Sequence, residues 1–446
     1  MERLPFALTK DHMAAIGQIT RDIDRGYDER AKLFKDQNPG AARAPWTMQR
    51  LLQGDVGSGK TLVALFACLR VIDWGGQCAI MAPTEILAKQ HAQTCASLLE
   101  AVGVRVAFLS GSLTAAQRSP LLKALKNGDV NILIGTHALF SKTTVYKDLQ
   151  LAVIDEQHRF GVMQRQAVVE KGRALVDEQN KNFFVSPHLL MMSATPIPQS
   201  LALTVYGDLD VSVIKSLPAG RKPITTYLVA QGHEGNAYAA VAKELQKDRQ
   251  AYFVYPAIGE EDEEDGDIKS ATAAFENLSK NVFPNCKCAL LHSKVPEDEQ
   301  TKILNDFREG KIKILAATTV VEVGVDVPNA TCMVIEQADR FGLAQLHQLR
   351  GRVGRGSEQS YCFLIYSKNI SQNGIERMKI LRQSTDGFYI AEEDLKLRGP
   401  GQINGTAQSG ALELGLADLS RDRDLLMLAR LDARNEIQKG LLRETR

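Results

Sequence analysis

The sequence predicts an α/β protein with two parallel sheets, each flanked by helices, and a small helical element at the end. Three observations predict it. Short β-branched apolar runs alternate with longer helical stretches, which is the pattern of strands buried on both faces of a sheet. The alternation occurs twice along 446 residues, a length that calls for two or three domains. A glycine-rich string, Gly54-Asp-Val-Gly-Ser-Gly-Lys-Thr61, stands between the first apolar run and the first long helix, where a phosphate-binding loop belongs.

In chain order, the strands of the first half are expected at Arg50–Gln53, Gln77–Ala82, Arg105–Leu109, Asn131–Gly135, Leu151–Asp155 and Leu189–Ser193. Those of the second half fall at Thr225–Val229, Gln250–Tyr255, Cys288–His292, Lys313–Ala317, Thr331–Glu336 and Tyr361–Ile365. Helical periodicity between them is clear at Thr61–Ile72, Glu85–Leu99 and Pro296–Glu309. Leu217-Pro-Ala-Gly-Arg-Lys-Pro223, with two prolines and a glycine, reads as the hinge. The expected division is therefore 1–216, 217–370 and 371–446, the last part helical and broken by Gly399, Gly401, Gly405 and Gly410. Gly26–Pro45 and Lys171–Pro187 read as polar surface insertions. Glu260–Asp267, seven acidic residues of eight, reads as a solvated loop that would repel a phosphate backbone.

Composition narrows the class. Fifty-four basic and 53 acidic side chains leave a net charge of +1, so any nucleic acid partner must use a local surface. The longest apolar runs, such as that around Asn131–Phe140, are too short to cross a bilayer, and MERLPFALTKDH has no secretory h-region. Seven cysteines without such a signal read as reduced thiols of a cytoplasmic protein. Cys286 and Cys288 form a lone C-x-C without further ligands at zinc spacing.

Chemistry concentrates in two strings. In the loop, Gly54, Asp55, Val56, Gly57, Ser58 and Gly59 let backbone N–H groups curl round phosphate oxygens. Lys60 should reach the β- and γ-phosphates, and Thr61 should ligate Mg²⁺. Asp155-Glu-Gln-His158 follows an apolar strand, placing two carboxylates at the C-terminal sheet edge where open α/β sheets bind ligands. One can hold Mg²⁺ (Asp155) while its neighbour (Glu156) polarises water.

These strings, with Ser193-Ala-Thr195 and Gln348-Leu-Arg-Gly-Arg-Val-Gly-Arg355, resemble the ordered motifs of superfamily 2 helicases. Longer blocks resemble the RecG family: Leu51–Thr61, Asp155-Glu-Gln-His-Arg-Phe-Gly-Val162, Ala194-Thr-Pro-Ile-Pro198 and Leu343–Gly356, within a match from about Leu4 to about Asp418. The resemblance implies two RecA-like P-loop domains and a C-terminal translocation element. It implies ATP and Mg²⁺ as cofactors, double-stranded and branched DNA (forks, Holliday junctions) as partner, no membrane, a monomer, and a bacterial cytoplasmic setting. Arg352 and Arg355 would be arginine fingers, with Gln348 beside the γ-phosphate. Gly324 and Asp326 would touch nucleotide and couple it to DNA, as would Thr318 in the same block. Phe6 and His12 would meet the adenine, His12 standing where many such motors have glutamine.

DNA contacts by resemblance are Pro83, Thr84, Glu85, Gln90, Thr136, His158, Ser193, Thr195 and His292. For His292, as for His137, a buried, hydrogen-bonded histidine is the alternative. Arg398 and Gln408 would serve coupling in the block Asp386–Gly410, shared with the Mfd-type coupling factor. Full-length RecG-family members carry an N-terminal wedge region that is not part of this sequence. Two rival readings are the motor of an Mfd-type coupling factor and a DNA-binding module without hydrolysis.

Overall fold

The computed structural model describes residues 4, 6–35, 46–111, 113–156, 167–168, 171, 186–194, 209–216, 222–256, 264–318, 327–398 and 423–438. Two all-parallel sheets carry the fold. The first has the order β3-β4-β2-β5-β6-β1-β7, from β1 (Gln49–Gly54), β2 (Gln77–Met81), β3 (Val106–Leu109), β4 (Ile132–Gly135), β5 (Leu149–Ile154), β6 (His188–Ser193) and β7 (Asp210–Ile214). Its central strands are buried along their length because helices cover both faces. In β2, Cys78 and Ile80 enter one core while Ala79 and Met81 enter the other, as the two-residue period of a strand requires. The helices are α1 (Lys10–Lys35), α2 (Lys60–Asp73), α3 (Glu85–Leu99) and α4 (Ala115–Asn127).

The second sheet has the order β10-β11-β9-β12-β13-β8. Its elements are β8 (Thr225–Ala230), α5 (Glu234–Gln246), β9 (Gln250–Val254), α6 (Glu264–Asn277), β10 (Cys288–Leu291), α7 (Glu297–Arg308), β11 (Ile314–Ala317), β12 (Ala330–Ile335), α8 (Leu343–Arg350) and β13 (Tyr361–Tyr366). α9 (Gln372–Gln383) and α10 (Gly387–Arg398) pack on each other and on α8, burying Met378, Leu381 and Ile390 in the second core. α11 (Arg423–Gln438) exposes Leu425, Leu428 and Leu431. No described helix is long and apolar enough to cross a membrane.

All twelve expected strands are present, with ends moved by a residue or two. Three expectations fail. Gly26–Pro45 is not an insertion throughout, because α1 runs on to Lys35. The apolar stripe Ala15, Ile19, Ile23 ends there, and polar and stacking contacts take over: Arg25 pairs with Glu29, Tyr27 stacks on Trp74 at 3.8 Å, and Glu29 accepts from Trp46 N. β7 escaped the sequence reading because it is an edge strand that buries only Ser212 and Ile214. Arg50 of β1 binds Ser212 beside it, and Asp22 of α1. The acidic run is not all loop, since α6 begins at Glu264 inside it. Most of Lys171–Pro187, residues 217–221 of the hinge and the glycine cluster lie outside the described residues.

Candidate active site between the two sheets

β1 delivers the chain to Gly54 and α2 resumes it at Lys60. Gly59, at φ 85°, sits in the left-handed region, and a Cβ there would lie 2.7 Å from His12 Nε2 and 2.8 Å from the Phe6 ring. The loop is thus pressed against the first turn of α1 and the segment before it, and only glycine fits. Lys60 is buried, its Nζ donating to the carbonyls of Gly54 and Asp55, both at 2.8 Å. Burial pulls the Lys60 pKa down, opposed by the charges of Glu156, Asp155 and Asp55. The buried ammonium beside the loop's N–H groups suits an anion, and the three carboxylates near it suit a cation carried with that anion.

β5 ends at Ile154, and Asp155 N donates to Met81 O. Asp155 Oδ2 accepts from His91 Nε2 of α3 at 2.8 Å, and Oδ1 accepts from Glu156 N at 3.0 Å. Burial alone would raise the Asp155 carboxyl. The His91 hydrogen bond and the charges of His91 and Lys60 outweigh it, holding the carboxyl below the ordinary aspartate range. Glu156 stands at φ 52°, left-handed without being glycine, a conformation costing about 1–2 kcal/mol that persists where surroundings impose it.

The second sheet supplies the opposite wall. Gln348, Arg352 and Arg355 line a cavity of about 320 Å³ with Lys60, Asp155 and Glu156. Gln348 lies in the last turns of α8, and Arg352 follows in a turn where its N–H donates to Leu349 O. His347 and Gly351 form the adjoining pair and meet the phosphate loop. A Cβ on Gly351 would lie 2.9 Å from Val56 Cβ, and His347 Nε2 donates to Asp55 Oδ1 at 2.7 Å. Burial would raise the Asp55 carboxyl, but the His347 hydrogen bond, Val56 N–H and Lys60 hold it low.

Known sequences match along the chain. Residues 42–203 match the DEAD/DEAH box helicase model and 263–357 the helicase conserved C-terminal domain. Residues 384–441 match the model for "ATP-dependent DNA helicase RecG, domain 3, C-terminal". A protein of Treponema pallidum named ATP-dependent DNA helicase RecG is 51% identical over 430 residues, 96% of this chain. The chain is homologous to the RecG helicases over nearly its whole length. The Aquifex aeolicus protein of the same name is 47% identical over 97% of the chain. The solved structure of RecG bound to a three-way DNA junction superposes with TM-score 0.71 at 40% identity, covering 95% of this chain and 51% of that one. The chain spans 59% and 51% of the length of the Treponema and Aquifex proteins. These matches do not favour a coupling-factor motor.

The other expected site residues fall into three groups. Some are engaged within the fold. His12 is fully buried, with Nδ1 accepting from Thr9 N and Nε2 donating to Ser58 O at 2.6 Å. Both ring nitrogens are thereby engaged, so the imidazole braces the phosphate loop. Phe6 lines the cavity. Thr84 caps α3, and the Glu85 carboxylate binds Ser110 Oγ and Gly111 N, shaping that loop.

Others sit at strand ends on the C-terminal edges: Thr136 after β4, Ser193 closing β6, Thr318 after β11, and His292 after β10. His292 Nδ1 finds no hydrogen-bond partner among the described residues. Pro83 precedes α3, whose Gln90 faces α7 across a cleft of about 250 Å³. Arg398 ends α10. His158, Thr195, Gly324, Asp326 and Gln408 lie outside the described residues. Sequence reasoning missed His91, His347 and Arg350. Their partners in other elements are 64, 292, and 31 and 34 residues away along the chain, and the local contact, His347 with Arg350, is three residues apart.

Proposed function

We propose that this chain is the motor of an ATP-dependent double-stranded DNA translocase that acts on forks and Holliday junctions in repair and recombination. The supporting observation is the meeting of Gln348, Arg352 and Arg355 with Lys60, Asp155 and Glu156 in one cavity. A site split between two sheets is complete only when they approach, so hydrolysis can be tied to their relative movement. The units are residues 1–216, 217–370 and 371–446, working as a monomer in a bacterial cytoplasm.

The residues fit a magnesium nucleotide. The loop's buried ammonium suits phosphate, the hydroxyl of Thr61 and the depressed carboxyl of Asp155 are hard oxygen donors of the kind Mg²⁺ takes, and Phe6, Leu65 and Leu98 give the cavity an apolar end for a base. Magnesium held there would neutralise phosphate charge. Lys60 and the loop amides bind phosphates, and His91 fixes the carboxylate that holds the metal. Glu156 orients water and takes its proton. Arg352 and Arg355 stabilise charge on the transferring group from the far wall, and Gln348 sits at the same seam. DNA lies across the strand ends at Thr136, Ser193, His292 and Thr318, held through phosphates without base reading.

Lys60→Ala and Glu156→Gln test this reading. Each abolishes ATP turnover while circular dichroism and melting stay near those of the parent chain. Near-parental turnover in either variant would sink the assignment.

A further inference from the structure

α8 carries a second set of side chains beside those that face the cavity. His347 is buried, and its Nδ1 lies 2.9 Å from Arg350 Nη2. A guanidinium only donates, so Nδ1 accepts and Nε2 carries the hydrogen given to Asp55. The other Arg350 nitrogen, Nη1, donates to Leu381 O at 2.6 Å and to Ser384 O at 2.8 Å, where α9 ends and the chain turns toward α10. One continuous series of hydrogen bonds therefore runs from the phosphate loop through His347 and Arg350 to the α9–α10 joint. Arg350 is 2% exposed and has no salt bridge among the described residues. Burying a guanidinium without a carboxylate is costly, and capping two carbonyls is a task an exposed side chain or water performs at less cost. Asp55, at the other end, belongs to the loop that would cradle the phosphates.

We infer that His347 and Arg350 are positioning residues that make the α9–α10 joint respond to the phosphate loop. Neither touches the cavity. When Asp55 shifts, the imidazole follows, and Arg350 carries the displacement to the last carbonyls of α9. The same bonds set the register of Gln348 on α8 and of Arg352 in the turn that follows it. This inference rests on the ATP-driven reading of the site.

The test uses the whole chain. His347→Phe keeps ring volume and removes both hydrogen bonds, whereas His347→Gln keeps a donor toward Asp55. ATP hydrolysis is measured with and without linear duplex DNA across ATP concentrations, alongside melting. We expect His347→Phe to lower DNA-stimulated kcat by about tenfold, the size of one lost coupling of this kind, with KM for ATP changed far less. His347→Gln should recover most of the loss, and Asp55→Asn combined with His347→Phe should lose no more than the larger single effect. If the parent chain hydrolyses no ATP, the reading of the site fails and this inference falls with it. If the parent is stimulated by DNA and His347→Phe is stimulated equally, only the inference is overturned. Equal loss with and without DNA together with a lowered melting temperature, unrescued by His347→Gln, makes the role structural and also overturns it. Should His347→Phe not fold, His347→Gln and Arg350→Lys carry the same comparison from either end of the series.

Discussion

Gly351→Ala isolates the approach of α8 to the phosphate loop. Gly351 has φ −67° and ψ −7°, an ordinary right-handed conformation, so alanine adds no backbone strain. Its methyl would stand 2.9 Å from Val56 Cβ, 3.1 Å from Cγ2 and 3.3 Å from Cγ1. Reaching an ordinary carbon–carbon separation of about 3.5–4.0 Å requires the two walls to part by about 0.6–1.1 Å. Gln348 lies on this helix and Arg352 directly follows its C-cap, and a misplacement of about 1 Å costs up to about a hundredfold in rate. At such a position alanine also restricts the unfolded chain, which stabilises by about 0.4–1 kcal/mol. The expected variant therefore melts no lower than its parent, keeps its KM for ATP within a few-fold, and loses kcat by about ten- to a hundredfold. Steady-state hydrolysis with duplex DNA and a thermal melt decide it. A kcat equal to the parent's would refute the close-contact argument; a melting temperature several degrees lower would show that the methyl disrupts the fold rather than the seam.

Other substitutions probe separate contacts. His91→Phe removes the donor to Asp155 and lets burial raise its carboxyl; half-saturation by Mg²⁺ should rise about tenfold, the worth of one charge-assisted hydrogen bond, and an unchanged Mg²⁺ titration would contradict the role given to His91. Phe6→Ala should raise KM for ATP and leave saturated kcat nearly intact, as expected of a group that binds the base and not the reacting phosphate. Arg50→Met strips Asp22 of its buried partner and frees Ser212; unfolding by urea should show a loss of about 2–4 kcal/mol. Asp11 is held below its ordinary value of 3.8, chiefly by the N–H of Ser216, with the Ser216 side chain and Lys215 N–H adding to it. A depressed carboxyl stabilises above its unfolded pKa and loses that contribution as pH falls through the folded one. Asp11→Asn should therefore lower the melting temperature at pH 7, with the gap to the parent closing below pH 3.8; a gap that persists in acid contradicts this.

What could be read from the sequence was what is local. The phosphate loop and the Asp155-Glu156 pair are contiguous strings at strand ends, and both stand at the cavity. Interior strands such as β2 declared themselves because both faces are apolar and every residue is buried. β7 did not, since an edge strand with only two buried residues, one of them a serine, alternates too weakly to separate from a loop. The second half of α1 looked polar because it is held by ion pairs and by Tyr27 on Trp74 rather than by an apolar stripe. His12 is tied through both ring nitrogens to Thr9 and to Ser58 of the phosphate loop, the second a contact 46 residues away that no local spacing encodes. His91 and His347 depend on partners far along the chain, which no local spacing encodes.

The most direct measurement is ATP hydrolysis with Mg²⁺ in four conditions (no DNA, single strands, linear duplex and a model fork), comparing the parent chain with Glu156→Gln. Hydrolysis stimulated by duplex or fork, and lost in Glu156→Gln, is the predicted result. Hydrolysis that stays at baseline with every DNA, or that survives in Glu156→Gln, would contradict a duplex-driven motor built on this site.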